Sequence, residues 1–189
     1  MNDKLNITQT NFKDLHIVEP NSFKDERGAF SRVYCEEEMH DIFGKSIKQI
    51  NHSMTKAKGT VRGLHFQYEP HSEIKMVKCI KGSVFDVVVD IRKNSPTFLK
   101  YFSIELTQEN QKMIYIPKGF AHGFQTLEDD TELLYLHSSV YKPSKEGALN
   151  VIDPLLNIKW PLEIINLSKR DEAHKFLDNT FQGMVINEL

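Results

Sequence analysis

Between residues 47 and 141 the chain keeps returning to short runs with period-2 alternation, rich in β-branched and aromatic residues. They are IKQINHSMT (47–55), TVRGLHFQ (60–67), KMVKCIKG (75–82), SVFDVVVDIR (83–92), KYFSIELT (100–107), KMIYIP (112–117), HGFQTLE (122–128) and TELLYLHSSVY (131–141). Alternation of this kind places successive side chains on opposite faces of a strand. Close turn signals separate the runs: KG at 81–82, KNSPT at 93–97, TQENQ at 107–111, PKG at 117–119 and EDD at 128–130. Connections this short favour antiparallel neighbours, so the pattern predicts an all-β sandwich or barrel. AFSRVYC (29–35) reads as a further strand, and EEEMHDIFG after it as a short helix. Near the C-terminus the character changes. DPLLNIKWPLEI is bounded by prolines, and SKRDEAHKFLDNTF carries a helix-like mix, which predicts a helical tail packed on the barrel. No repeat or linker divides the chain, so one domain over residues 1–189 is expected.

The totals narrow the function classes. Net charge is −2, which gives no electrostatic footprint for bulk nucleic-acid binding. Cys35 and Cys79 form neither a CxxC pair nor a dense framework, in keeping with a reducing compartment. The first residues, MNDKLNITQTNFKDL, lack a basic start followed by an apolar run, and nothing approaches a membrane-spanning apolar stretch. A cytoplasmic protein without a membrane partner is expected.

Chemistry is suggested first by VRGLHFQ, where an apolar run carries Arg62 and His65. Three residues apart on a regular strand, these side chains point to opposite faces; a bulge at Gly63 would bring both inward. Arg62 has the paired donors that suit a diphosphate. A surface arginine and a satisfied core histidine are the plainer reading. IPKGFAHGF puts His122 just past a tight turn. In SVFDVVVDIR, Asp86 and Asp90 share a strand face; Asp86 needs a partner such as a histidine, whereas Asp90 reads as solvent-facing. Lys75 shares a face with Val77 and Cys79, so it points inward or snorkels to solvent. Tyr135, His137, Ser139 and Tyr141 also share one face, as core aromatics or as pocket groups. A resemblance to the metal-binding cupins would imply H-x-H here; the stretch reads His65-Phe66-Gln67, and two imidazoles with no suitably spaced carboxylate make a weak metal site, so no metal is expected.

Taken together and in order, DERGAF, QINHS, VRGLHFQ, KMVKCIKGSVFDVVVDIRKNSPTF, ELTQENQKMIYIPKGFAHGFQTL, YLHSSVYKP, DPLLNIKWP and LSKRD resemble the dTDP-4-dehydrorhamnose 3,5-epimerases, from about residue 12 to about residue 175. The resemblance implies a cupin jelly-roll barrel, a homodimer, and chemistry without a metal or other cofactor. It also implies a nucleotide-diphosphate sugar substrate, a 4-keto-6-deoxyhexose epimerised at C3 and C5. Carried over residue by residue, it implies His65 as base, Asp171 as the carboxylate orienting it, Tyr135 as acid and Lys75 as the enolate-stabilising cation. His122, paired with Asp86, would shape the oxygen pocket, and Arg62 would hold the diphosphate. Arg27, Gln49, Asn51 and Tyr141 would contact nucleotide or sugar, with Phe23 and Phe30 stacking on the base. Many members read FLYKTTxYY where this chain has LLYLHSSVY, so Leu136, His137 and Val140 depart from the pattern beside the expected acid. A single-centre epimerase of another deoxysugar and a non-catalytic sugar-binding cupin are the competing readings.

Overall fold

Thirteen strands carry the alternation in the computed structural model, which describes residues 4–44 and 46–186. The remaining positions of the expected 1–189 domain lie outside the described residues. In chain order the strands are β1 (Leu5–Gln9), β2 (His16–Pro20), β3 (Phe23–Asp25), β4 (Gly28–Phe30), β5 (Gln49–Thr55), β6 (Val61–Gln67), β7 (Lys75–Lys81), β8 (Ser83–Asp90), β9 (Tyr101–Thr107), β10 (Met113–Ile116), β11 (Phe120–Thr126), β12 (Thr131–His137) and β13 (Glu146–Ala148). They form a six-stranded sheet ordered β1-β2-β10-β7-β12-β5 and a five-stranded sheet ordered β13-β6-β11-β8-β9, with β3 and β4 as a separate hairpin. The pairings within these sheets are antiparallel. Crossovers between the sheets give the jelly-roll barrel expected from the turns and the resemblance.

The alternating residues divide into an inner set and two outer sets. Val77, Cys79, Ile114 and Leu133 from the larger sheet meet Val84, Val88, Leu106, Phe120 and Phe124 from the smaller one. Each such large side chain contributes roughly 1.5–3 kcal/mol on burial. The outer face of the five-stranded sheet (Val61, Val87, Val89, Ala121) is covered by Leu149, Val151, Leu156 and Met184 of the C-terminal segment. On the other side, Met76, Met113 and Leu136 pack beneath Met39 and Phe43.

Several sequence expectations are corrected. In AFSRVYC only Ala29 and Phe30 are strand, the end of β4; beyond them Arg32 turns to pair with Glu38, and Val33 and Tyr34 pack toward Phe43. The helix expected over EEEMHDIFG is one turn, α1 (His40–Phe43). The tail has a single turn, α2 (Lys169–Glu172), whose N-cap Ser168 accepts from the Asp171 backbone N–H at 3.1 Å. The rest of the tail is irregular because Leu177, Phe181 and Met184 are drawn onto the barrel face instead of along a helix. Asp90 is fully buried, not solvent-facing. Its Oδ2 accepts from Arg92 Nη2 at 2.7 Å and from Ser95 Oγ and Thr97 Oγ1 at 2.6 Å, tying down the KNSPT turn.

Candidate active site

One stretch of irregular pairing builds the site. His65 lies opposite His122 and Arg62 opposite Phe124, so three steps along β6 match two along β11. The extra residue is a bulge, and it turns both Arg62 and His65 toward one cavity. Gly63 permits it: φ is +135°, and a Cβ there would sit 2.5 Å from the Gly123 Cα. The cavity, about 850 Å³, opens between the two sheets.

The five-stranded sheet supplies one wall. His65 Nε2 lies 2.8 Å from Asp171 Oδ1, with the Arg170 Nη2 3.2 Å from the same ring nitrogen. Nε2–H donating to Asp171 leaves the Nδ1 lone pair free to take a proton; Arg170, a donor only, then makes no hydrogen bond to Nε2 and instead places its charge by the carboxylate, with Nε 3.6 Å from Asp171 Oδ1. Burial pushes the Asp171 carboxyl up, but the hydrogen bond and charge of His65, the Ser168 hydroxyl and Arg170 outweigh it and hold it below the usual carboxylate range. Deeper in, His122 Nε2 sits 2.9 Å from Asp86 Oδ2, both side chains buried. Burial dominates at Asp86 and raises its pKa against the pull of His122 and Lys75. Arg62 is steadied by neutral oxygens, Thr55 Oγ1 at 3.0 Å and the Met54 carbonyl at 3.4 Å, which leaves its positive charge for the cavity.

The six-stranded sheet supplies the facing wall. Tyr135 OH lies 3.1 Å from Ser53 Oγ, and burial raises the phenol well above its ordinary pKa. Its ring meets His122 edge-on at 6.3 Å and stacks with His137 at 6.1 Å. Lys75 does not snorkel: its side chain is 12% exposed and Nζ is 3.2 Å from Glu73 Oε1. The other Glu73 oxygen takes His137 Nδ1 at 2.9 Å. Asn51 and Gln49 follow on β5, and Tyr141 lies at the rim, its OH donating to Glu146 at 2.9 Å.

The structure therefore brings His65, Asp171, Tyr135, Lys75, Arg62, His122, Gln49, Asn51 and Tyr141 around one cavity, with Asp86 behind His122. It does not bring Arg27, Phe23 and Phe30 there. They sit on the β3–β4 hairpin, where Phe23 is 55% and Phe30 75% exposed and Arg27 pairs with Asp25. Sequence reading passed over Ser53, Glu73, Glu146 and Arg170. Glu73 carried a usable signal, an acid two residues before an inward lysine. Arg170 and Glu146 pair across 24 residues at 2.8 Å and had none. Among the described residues, no group of three or more His, Cys, Asp or Glu side chains is arranged to hold a metal ion.

This arrangement can deprotonate a carbon beside a ketone from one wall and donate a proton from the other. Comparison with known proteins points the same way. The family model described as dTDP-4-dehydrorhamnose 3,5-epimerase matches residues 9–179. The chain belongs to that family. A dTDP-4-dehydrorhamnose 3,5-epimerase of Shigella flexneri is 41% identical over 177 residues, 92% of this chain and 97% of the relative. One from Salmonella typhimurium is 42% identical over 175 residues, 91% and 95% of the two chains. The crystal structure of a Legionella pneumophila epimerase in complex with dTDP-4-keto-L-rhamnose superposes with a TM-score of 0.89 at 36% identity, covering 97% of this chain and 100% of that one. A 3'-monoepimerase from Streptomyces bikiniensis, bound to dTDP-quinovose, matches with a TM-score of 0.83 at 33% identity, covering 88% and 85%. Against the family pattern, Leu136 turns out of the cavity into the core under Met39, Val140 lies half-exposed at the rim, and His137 alone of the three enters the cavity.

Proposed function

We propose that the chain epimerises a dTDP-linked 4-keto-6-deoxyhexose at C3 and C5, turning dTDP-4-dehydro-6-deoxyglucose into dTDP-4-dehydrorhamnose. The observation that carries the reading is the placement of the His65–Asp171 pair and of Tyr135 on opposite sheets around one cavity. The ketone acidifies the neighbouring C–H bonds. His65 Nδ1 removes a proton from one face, and the resulting imidazolium is steadied by Asp171. Charge gathers on the C4 oxygen, where Lys75 and the His122–Asp86 pair supply positive charge and a donor. Tyr135, neutral at assay pH, then delivers a proton to the opposite face, which inverts the centre. Arg62 holds the diphosphate through its two-pronged guanidinium.

A dimer follows from the same reading. Arg27, Phe23 and Phe30 stand exposed on a hairpin remote from their own chain's cavity, which supports their reaching the nucleotide end of a neighbouring subunit's site. Sedimentation velocity checks it; a monomer at working concentration would remove these three residues from the site. Substrate supply from nucleotide-sugar metabolism supports a cytoplasmic location.

The test is ¹H NMR in D₂O with the dTDP-4-keto-6-deoxyglucose substrate. Wild-type protein should incorporate deuterium at C3 and C5 with formation of the rhamno product. His65→Ala should lose exchange at both carbons, and wild-type exchange by that variant would overturn the assignment. Exchange and inversion at C3 alone would favour a monoepimerase.

A further inference from the structure

From Lys75 a polar chain runs on through Glu73 and His137, two residues that the reaction as described leaves unused; His137 is the departure that enters the cavity. Glu73 gives one oxygen to Lys75 Nζ at 3.2 Å and the other to His137 Nδ1 at 2.9 Å. All three side chains are largely buried, at 9%, 12% and 9% exposure for Glu73, Lys75 and His137. On its far side His137 Nε2 lies 3.4 Å from Asn51 Nδ2. Asn51 Oδ1 accepts from Gln49 Nε2 at 3.1 Å, and Gln49 Oε1 accepts from the Tyr141 backbone N–H at 3.0 Å.

Both ends of this chain have a fixed sense. A backbone N–H can only donate, so Gln49 must present its oxygen to Tyr141 and its nitrogen to Asn51. Asn51 must then present its nitrogen to His137, whose Nε2 has to accept. That leaves Nδ1 to carry the proton, and an ionised Glu73 is the acceptor it needs. Although burial pushes the Glu73 carboxyl up, His137 and Lys75 pull it below its ordinary value, so it is charged at assay pH. A Nε2–H on His137 would oppose the Asn51 amide; turning both amides to meet it would set a donor against the Tyr141 N–H.

Resting on the function proposed above, we propose that Glu73 and His137 are positioning residues, Glu73 holding the Lys75 ammonium at the enolate site and His137 setting the direction of the Asn51–Gln49–Tyr141 contacts at the substrate-binding end. Register makes this economical. His137 lies directly opposite Lys75 on β7 and opposite Gln49 on β5, so one imidazole spans from the cation to the rim. Its ring also stacks on that of Tyr135 at 6.1 Å.

Two variants keep opposite halves of the relay. In His137→Asn the amide reaches the Nδ1 position, bonds Glu73 and releases Asn51; KM for the nucleotide sugar should rise about tenfold, with kcat falling less than threefold. Glu73→Gln keeps the shape and removes the charge that holds Lys75; kcat should fall about tenfold or more with a smaller change in KM. Long-range ¹H–¹⁵N NMR of the substrate-free wild type should show His137 as the Nδ1–H tautomer, and Glu73→Gln should disturb that signal. An Nε2–H tautomer, or wild-type kcat and KM in both variants, would overturn the proposal. If the wild type converts no dTDP-4-keto sugar at all, the function reading fails, while the tautomer still decides the relay. If Glu73→Gln does not fold, His137→Asn and the wild-type spectrum decide it.

Discussion

Replacing Tyr135 by phenylalanine removes one oxygen atom and separates two steps of the reaction. Among the described residues the hydroxyl has one hydrogen-bonding neighbour, Ser53 Oγ at 3.1 Å. Losing a neutral bond of this kind costs about 0.5–1.5 kcal/mol of stability, and the ring contacts with His122 and His137 survive in phenylalanine. The variant should therefore stay folded. Loss of a positioned general acid costs about 10²–10⁴ in rate, roughly 2.7–5.4 kcal/mol of barrier, so the catalytic effect exceeds the structural one. Deprotonation by His65 does not use the phenol. In D₂O, Tyr135→Phe should wash deuterium into C3 or C5 while forming inverted product at least about 10²-fold more slowly than wild type, because His65 returns a solvent-derived proton to the face it came from. The assay is ¹H NMR of the nucleotide sugar over time. Inverted product at the wild-type rate would make Tyr135 a packing residue, and loss of exchange together with inversion would show that the phenol is needed before the proton is removed.

Asp171→Asn should slow exchange by about 10²-fold or more without unfolding the protein, because an amide no longer fixes which nitrogen of His65 carries the proton. The Asp171 carboxyl titrates below its ordinary value in the folded protein, so its contribution to stability is complete above the unfolded pKa of about 4 and is lost as pH falls through the lower folded value. Urea unfolding as a function of pH should show that loss in wild type and not in Asp171→Asn. Gly63→Ala forces a Cβ to within 2.5 Å of the Gly123 backbone at a φ of +135° and should cost roughly 2–5 kcal/mol, with activity lost through displacement of Arg62 and His65; an unchanged urea midpoint would refute the bulge argument.

Strand positions were legible because alternation and turn chemistry act locally. KMVKCIKG and SVFDVVVDIR fold almost where the pattern places them, as β7 and β8. Asp86 was read as needing a partner such as a histidine because a carboxylate among valines is costly alone, and His122 lies against it. Asp90 was misread for the same local reason. The pattern cannot tell an aspartate facing water from one that accepts three side-chain donors from its own following turn. The tail's lack of helix was equally hidden, since Leu177, Phe181 and Met184 answer to a sheet face far away in sequence rather than to a helical period. Arg170 stayed out of view because its partner Glu146 lies 24 residues away, whereas Glu73, two residues before Lys75, offered a local signal for its ion pair but none for His137, 64 residues on.

The base and the acid ride on different sheets. The gap between them is therefore measured out not by any residue of the cavity but by the core that props the sheets apart, Val77, Ile114 and Leu133 against Val88, Leu106 and Phe124. Interiors packed to the density of organic crystals do not absorb an added methylene quietly; the backbones on either side shift. The barrel core thus acts as a spacer gauge for a proton relay. A substitution at Val88 or Leu133 that never meets the sugar can change how well one proton is lifted and another set down.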